Sequence, residues 1–230
     1  MIEPQTRLQL LASLSMGFCL CSVGASLSEA AVLAGLAKSL ASISFILCAL
    51  TANALATVYG RVIFAGLVFS ALGDALLIGS SPLWFLAGLS SFLLAHIWYS
   101  AAFWRRGVKR SGLLLSAVPI ASFGALVVIR LWPELEAGMR APVIAYVVAI
   151  CMMVALAIGS HLWTRNHWLW TGAVAFMISD LAVAADRFIV SEPLNFIWGL
   201  PLYYGAQLLL IGSIVKDSST TSSNFAHTLK

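Results

Sequence analysis

The chain has 230 residues, of which 61% are hydrophobic and only 10% are charged, whereas a soluble globular domain has roughly 25% charged residues. This composition, with a mean hydropathy of +0.96, excludes a soluble enzyme and predicts an all-α membrane protein. The net charge of +4 does not indicate a nucleic-acid partner, because the Lys and Arg residues are scattered at the ends of apolar runs and form no patch.

Eight apolar runs are long enough to cross a bilayer, since a helix of about 20 residues spans the hydrocarbon core. The predicted transmembrane helices are residues 8–26, 31–53, 61–79, 83–104, 111–130, 141–160, 168–190 and 196–216. Their connections are short, so residues 1–217 are expected to form a single polytopic domain. Residues 218–230 are rich in Ser and Thr and lack apolar periodicity, which predicts a disordered polar tail.

The basic residues at the helix ends predict the orientation of the bundle. With eight spans, both termini lie on the same side of the membrane. That side collects Arg7, Arg61, Arg105, Arg106, Lys109, Arg110, Arg165, Lys216 and Lys230. The opposite loops contain only Arg130 and Arg140. Because cytoplasmic loops carry an excess of Lys and Arg, we expect both termini in the cytoplasm and the protein in a bacterial inner membrane.

The cysteines and histidines do not indicate a metal site. Cys19, Cys21, Cys48 and Cys151 all lie inside apolar runs at spacings that match no metal or redox signature, so we expect buried thiols. The four histidines form no cluster with zinc-ligand spacing. A Gly-x-Ser-x-Gly elbow, a Walker loop and a dinucleotide fingerprint are also missing from the sequence, which argues against serine-nucleophile and nucleotide-driven chemistry.

Polar residues inside the apolar runs suggest an internal repeat. Two sets of three recur at nearly the same spacing: Lys38, Asp74 and His96, then Tyr146, Asp180 and Tyr203. Helices two, three and four would then correspond to helices six, seven and eight, and the bundle would consist of two parallel four-helix halves. Equal span lengths alone produce much of the same spacing, so a true duplication is one of two interpretations.

Two carboxyl groups, Asp74 and Asp180, lie in the third and seventh apolar runs at similar predicted depths. An ionisable group within a membrane span costs on the order of 3 kcal/mol, so it persists where it faces a polar cavity or a partner. Two carboxyl groups close together in a low dielectric cannot both ionise, which would place an acid and a base in one pocket. The alternative is a buried ion pair between Asp74 and Lys38 that only fixes helix packing.

Seven further polar residues are candidates for the same pocket: Lys38, His96, Tyr146, Arg187, Tyr203, Tyr204 and Gln207. Arg187 lies two helical turns after Asp180 on the same face, where its guanidinium could bind a phosphate or reach lipid headgroups. Its neighbour Asp186 lies off this face and is expected to contact the membrane interface. The histidine, the tyrosines and the glutamine could equally be helix-packing donors.

The chain resembles the YhhN family, the multi-span lysoplasmalogenases of bacteria and animals. The resemblance covers most of the chain and is carried by residues 71–78, 95–99, 145–146, 176–180 with 186–188, and 203–209. It implies hydrolysis of the vinyl ether bond of lysoplasmalogens, which releases a fatty aldehyde and glycerophosphoethanolamine or glycerophosphocholine. It also implies a lysophospholipid substrate and membrane lipids as partners, with no metal and no cofactor. The sequence does not predict an oligomeric state.

For this reaction the resemblance implies that Asp74 and Asp180 form a catalytic pair. A protonated carboxyl group would protonate the β-carbon of the vinyl ether, and an ionised one would stabilise the oxocarbenium ion and activate water, as paired carboxylates do at glycosidic bonds. The acid and the base are not assigned, because coupled groups titrate together. Arg187 would receive the phosphate, and the other candidates would line the pocket and orient the water and the ether oxygen.

Two other functions fit the same residues. In a proton-coupled transporter of lipids or small molecules, the carboxylates would relay protons between two rocking halves. Helix breaks would favour this function, and Gly66 and Gly73 in the third run and Gly199 and Pro201 in the eighth are the positions to inspect. In a structural membrane protein, the polar residues would only fix helix packing. Release of aldehyde from a lysoplasmalogen distinguishes the enzyme from both.

Overall fold

The structure, a computed structural model, describes the backbone of residues 3–228 and the side chains of residues 3–217. Within these limits the chain forms eight long α-helices and two short 3-10 turns, at Ala54–Ala56 and Trp132–Glu134. The helices are α1 (Pro4–Leu27), α2 (Ala31–Thr51), α3 (Val58–Leu76), α4 (Pro82–Arg106), α5 (Arg110–Leu131), α6 (Ala137–Thr164), α7 (His167–Phe188) and α8 (Pro193–Thr228). All eight are long and apolar enough to cross a membrane, which confirms the predicted fold class.

Local signals set the helix ends, which differ from the predicted spans by a few residues except at the end of α8, where the helix continues to Thr228 and the predicted span ends at residue 216. Thr57 and Ser81 accept hydrogen bonds from the backbone of Gly60 and Trp84 and thereby cap α3 and α4. Gly107 ends α4 in a conformation with φ of 101°, which L-residues rarely adopt. The third span was predicted to reach residue 79, but α3 ends at Leu76.

The packing of neighbouring helices recurs in the two halves of the chain. In the first half, α1 packs on α2, α2 on α3, and α3 on α4. In the second half, α5 packs on α6, α6 on α7, and α7 on α8. The halves meet where α4 packs on α6 and where α8 packs on α2. α8 also contacts α1 and α3. This arrangement agrees with two parallel four-helix halves.

Glycines allow α3 and α4 to pack closely. A Cβ atom on Gly66 would lie 2.3 Å from the Tyr99 ring, and one on Gly73 would lie 2.7 Å from the Phe92 ring. Small residues at such positions let two membrane helices approach each other. Both α3 and α8 run without interruption through the positions that were inspected as helix breaks. Gly66 and Gly73 therefore serve packing in the structure, and Pro201 is accommodated inside a continuous α8.

The cysteines are only partly as expected. Cys19 and Cys48 are buried thiols, whereas Cys151 is half-buried and Cys21 is exposed. The expectation that all four would be buried is therefore wrong. Since two residues advance a helix by about 200°, Cys21 faces the opposite side of α1 from Cys19. The predicted disordered tail, residues 218–230, lies outside the residues whose side chains the structure describes.

Candidate active site

A cavity of ≈ 300 Å³ opens at the end of the bundle that carries the α3–α4 and α7–α8 connections. Because α3 ends early, its connection to α4 contributes Leu77, Gly79, Ser80 and Ser81 to the wall. Six of the candidate residues line this cavity: Lys38, Asp74, Tyr146, Asp180, Arg187 and Tyr203. The remaining lining is mostly apolar and comes from α4, α5, α6, α7 and α8, as is typical of a ligand-binding pocket.

Asp74 lies in the last turn of α3 and is almost completely buried, with 3% of its side chain exposed. Its Oδ1 lies 3.3 Å from the Lys38 ammonium. Its Oδ2 accepts hydrogen bonds from the Ser42 hydroxyl at 2.6 Å and from the Tyr203 hydroxyl at 2.8 Å. The predicted ion pair with Lys38 is therefore present, but Asp74 also lines the cavity. Packing alone does not account for this position.

Asp180 lies in the second half of α7 and is more accessible, with 15% of its side chain exposed. Its Oδ2 accepts a hydrogen bond from the Tyr146 hydroxyl at 2.7 Å. The Nε2 atom of His96 lies 3.4 Å from the same oxygen, outside hydrogen-bond geometry. His96 is fully buried, and neither of its ring nitrogens has a hydrogen-bond partner among the described residues. A small rotation would complete the bond to Asp180.

Aromatic rings form the wall between the two carboxyl groups. The Phe176 ring contacts the His96 ring at 4.9 Å between centroids and the Tyr203 ring at 5.3 Å. Phe92 packs edge-on against both Phe176 and Tyr203. Within the part of the chain that is described, no hydrogen bond joins Asp74 to Asp180 directly. The carboxyl groups therefore face one cavity from two separate polar clusters, and the fully buried Phe176 ring packs against one ring of each cluster behind the lining.

Three predicted substrate contacts lie behind the cavity wall. His96, Tyr204 and Gln207 are fully buried and are not part of the lining. The Tyr204 hydroxyl donates to the backbone carbonyl of Lys38 at 2.9 Å. Gln207 accepts a hydrogen bond from the Tyr99 hydroxyl at 2.8 Å. These side chains support residues of the wall, so contact with a substrate would require them to move.

Sequence reasoning missed Ser42, Tyr99 and Phe176. Ser42 follows Lys38 by one helical turn, which places both on the same face of α2. That spacing is the signal that could have found Ser42, although serine is common in membrane helices. The two aromatic residues lie in segments that carry the family resemblance, 95–99 and 176–180, but an aromatic side chain in an apolar run is ordinary core material.

The mouth of the cavity is formed where α7 ends and α8 begins. Arg187 is exposed there, and its guanidinium lies over the Phe85 ring at 4.6 Å. Asp186 also lines the cavity and accepts a hydrogen bond from the Ser191 hydroxyl at 2.9 Å. The expectation that Asp186 would only contact the interface is therefore wrong, because the cavity reaches the end of α7. Among the described residues, no group of three or more His, Cys, Asp and Glu side chains could hold a metal ion.

Comparisons with known proteins agree with this arrangement. A model of the YhhN family matches residues 12–214. The lysoplasmalogenase TMEM86A of Bos taurus is 34% identical over 162 residues, which is 67% of this chain and 65% of that protein. The lysoplasmalogenase of Mycobacterium tuberculosis is 32% identical over 160 residues, which is 66% of this chain and 59% of that protein. The chain thus spans slightly less than two thirds of these relatives. No solved structure matches.

Proposed function

Because this chain belongs to the YhhN family, we propose that it is a lysoplasmalogenase, a multi-pass membrane hydrolase that cleaves the vinyl ether bond of lysoplasmalogens. Relatives from cattle and from Mycobacterium tuberculosis bear that name. The observation that carries the proposal is that two membrane-embedded carboxyl groups, Asp74 and Asp180, open on one largely apolar cavity. The products would be a fatty aldehyde and glycerophosphoethanolamine or glycerophosphocholine.

The partners of the two carboxyl groups suggest a division of roles. Asp74 faces the ammonium of Lys38, which compensates a negative charge. Asp180 has no permanent cation beside it among the described residues, only a phenol and an imidazole. In our proposal Asp180 therefore acts as the proton donor and Asp74 acts as the base. Pairs of carboxyl groups whose surroundings differ in this way serve as the acid and the base of one reaction.

The proposed reaction has three steps. The Asp180 carboxyl group donates its proton to the β-carbon of the vinyl ether, which leaves an oxocarbenium ion at the carbon attached to oxygen. Water adds to that carbon, and Asp74 takes the proton that the water loses. The hemiacetal then collapses: the bond to the glycerol oxygen breaks, that oxygen takes the proton held by Asp74, and the aldehyde leaves. Asp180 takes the proton of the hemiacetal hydroxyl, so both carboxyl groups return to their starting states.

The cavity has suitable dimensions for this substrate. Seven bonds separate the β-carbon of the vinyl ether from the phosphorus atom, a reach of about 8 Å at ~1.2 Å per bond of an extended chain. Asp180 and Arg187 are seven residues apart on α7, which corresponds to about 10 Å along the helix axis. A phosphate bound by Arg187 therefore leaves the vinyl ether near Asp180. The alkenyl chain would lie against the apolar α5 and α6 side of the cavity, which includes Val127, Val143 and Val147.

The orientation of the protein follows from its basic residues and is part of the proposal. If both termini face the cytoplasm of a bacterial inner membrane, the cavity opens in the outer half of the bilayer. A single-chain lipid could then enter with its headgroup at the surface and its chain in the hydrocarbon. Labelling of a single cysteine, introduced at Glu134 into a chain without its native cysteines, would test this orientation. A membrane-impermeant maleimide should label it from outside intact cells.

The experiment that tests the activity uses purified protein in a nonionic detergent. Incubation with a 1-alkenyl lysophospholipid should release free aldehyde and the glycerophosphodiester in equal amounts. The matched 1-alkyl lysophospholipid, which has a saturated ether, should give neither. In water enriched in oxygen-18, the glycerophosphodiester should contain no label, because the glycerol carbon–oxygen bond stays intact. Absence of aldehyde with a protein that remains folded would contradict the proposal and favour a carrier or a structural protein.

A further inference from the structure

Two opposite charges at the mouth of the cavity have no ion-pair partner among the described residues. Asp186 and Arg187 are neighbours in the last turn of α7, and both line the cavity. Neither forms an ion pair with any residue in the described part of the chain. Elsewhere Arg106 pairs with Asp217, and Arg130 pairs with Glu134. Adjacent charges that remain separate at one opening are suited to a ligand that carries both charges itself.

We propose that Asp186 and Arg187 form a subsite for a zwitterionic headgroup, in which Arg187 binds the phosphodiester and Asp186 binds the ammonium group. This inference rests on the proposed function, because it identifies the headgroup of the lysophospholipid that the cavity receives. The guanidinium of Arg187 matches the geometry of phosphate oxygens. A primary or quaternary ammonium needs a carboxylate or an aromatic face, and Asp186 supplies the carboxylate.

The contacts around Asp186 support its role as the ammonium partner. The Ser191 hydroxyl donates to Oδ1 at 2.9 Å and fixes the carboxylate at the start of the α7–α8 connection. Oδ2 has no hydrogen-bond partner among the residues whose side chains are described. Phe196, on the first turn of α8, lines the same cavity with 40% of its surface exposed and offers a ring to an ammonium group. Four bonds separate phosphorus from nitrogen in the headgroup, or about 5 Å at ~1.2 Å per bond, and both charged side chains line the cavity that would hold it.

Asp186 would also discriminate against lysolipids that lack the ammonium group. A phosphate monoester in the same place carries up to two negative charges and no positive charge. The Asp186 carboxylate would repel that headgroup, and repulsion of the wrong ligand is a common source of specificity. The subsite therefore predicts a preference for zwitterionic over anionic lysolipids, which Arg187 alone would not produce.

Binding of uncleavable lipids tests the subsite without depending on catalysis. The probes are 1-alkyl-glycerophosphoethanolamine and 1-alkyl-glycerophosphate, whose saturated ethers are not substrates, and the readout is the Kd in nonionic detergent at low salt. In Asp186→Asn, where the amide oxygen can still accept from Ser191, the Kd for the ethanolamine lipid should rise about fivefold. Its Kd for the phosphate monoester should fall, because the repulsive charge is gone.

Matched variants distinguish the loss of the Asp186 charge from a change in the structure of the α7–α8 connection. Arg187→Gln should weaken binding of both lipids, because both contain phosphate. Glu192→Gln removes an exposed carboxylate that follows α7 but does not line the cavity, and it should leave both Kd values unchanged. Ser191→Ala removes the hydrogen bond without the charge, so it should keep the preference for the ethanolamine lipid. If Ser191→Ala abolishes the preference as fully as Asp186→Asn does, the effect belongs to the loop structure and the subsite is wrong.

Failure of the subsite and failure of the proposed function give different results. An Asp186→Asn protein that binds both lipids as the unchanged protein does, or weakens both alike, overturns the subsite even if aldehyde release is normal. An unchanged protein that shows the charge-dependent preference but releases no aldehyde from a 1-alkenyl lipid retains the subsite and contradicts the lysoplasmalogenase activity.

Discussion

The two carboxyl clusters occupy equivalent places in the two halves of the bundle. Asp74 on α3 is contacted by Lys38 from α2 and by Tyr203 from α8. Asp180 on α7 is contacted by Tyr146 from α6 and approached by His96 from α4. Each carboxyl group thus receives one partner from the preceding helix and one from the fourth helix of the other half. This places the two acids in corresponding positions of the two sets of four helices, α1–α4 and α5–α8.

The clusters differ in charge and in access. The Asp74 cluster contains an ammonium and two hydroxyl donors within 3.3 Å, and only 3% of the Asp74 side chain is exposed. The Asp180 cluster contains one hydroxyl donor and a nearby imidazole, and 15% of the Asp180 side chain is exposed. Equivalent backbone positions therefore give unequal electrostatic surroundings, because Lys38 stands where the other half has a tyrosine. This difference is the basis for assigning different roles to the two acids.

The largest effect should follow replacement of either acid. Asp180→Asn removes the proposed proton donor, and Asp74→Asn removes the proposed base, so each should lower kcat for aldehyde release by about 10³-fold or more, within the range of general acid–base catalysis. Glu134→Gln, which changes an exposed carboxylate on the protein surface, is the matched control and should keep full activity. A single variant with near-normal kcat and a normal melting temperature would remove that residue from the catalytic pair.

A double substitution should distinguish the contribution of the Lys38–Asp74 ion pair to stability from the contribution of Asp74 to catalysis. Lys38→Met leaves the Asp74 charge buried without its cation, so the free energy of unfolding should fall by about 2 kcal/mol, less than for a fully buried pair because 17% of the Lys38 side chain is exposed. Lys38→Met combined with Asp74→Asn removes both charges and should recover much of that stability without recovering activity. Denaturation in detergent and the aldehyde assay measure the two effects.

Two other outcomes for the double variant would change the role of Asp74. If the double variant recovers activity along with stability, Asp74 serves only to neutralise Lys38, and the base must lie elsewhere. If the double variant is as unstable as the single variant, the contacts of Asp74 with Ser42 and Tyr203 hold the helices together more strongly than the ion pair does.

Removing one hydroxyl from each cluster should have unequal effects. Tyr146→Phe deletes the only hydrogen-bond donor to Asp180 among the described residues, and we expect kcat to fall about tenfold, or roughly 1.4 kcal/mol. Tyr203→Phe leaves Asp74 with Ser42, Lys38 and a weaker contact from the Tyr204 hydroxyl at 3.4 Å, so the loss should be only about threefold. Equal losses, measured as kcat for aldehyde release, would contradict the asymmetry between the clusters.

The sequence predicts the features that the bilayer itself imposes. Eight apolar runs become eight helices because a span needs a minimum length, and Asp74 and Asp180 stand out because charges in such runs are rare. The composition of the cavity wall is less predictable. It depends on the early end of α3 at Leu76, on the rotation of each helix and on aromatic packing around Phe176. Hydropathy contains none of this information, which is why Ser42 was missed.

Gln207 illustrates the same limit, because its polarity in an apolar run suggested a substrate contact. In the structure it is fully buried behind the wall, where its carbonyl accepts from Tyr99 and its amide nitrogen has no partner among the described residues. Gln207→Met keeps a similar volume and removes one hydrogen bond. It should therefore change the free energy of unfolding by no more than about 1 kcal/mol and kcat by less than about twofold.

The Gln207→Met variant tests whether Gln207 only supports the cavity wall or also contacts the substrate. Tyr99 would keep its weaker contact with Ser70, at 3.3 Å between the hydroxyl oxygens, so the wall around Phe176 should stay in place. A kcat loss approaching that of Tyr146→Phe, with an unchanged melting temperature, would show that Gln207 reaches the substrate in the working enzyme. The helix α8 would then have to rotate toward the cavity during turnover, because its Gln207 side chain does not line the cavity in the structure.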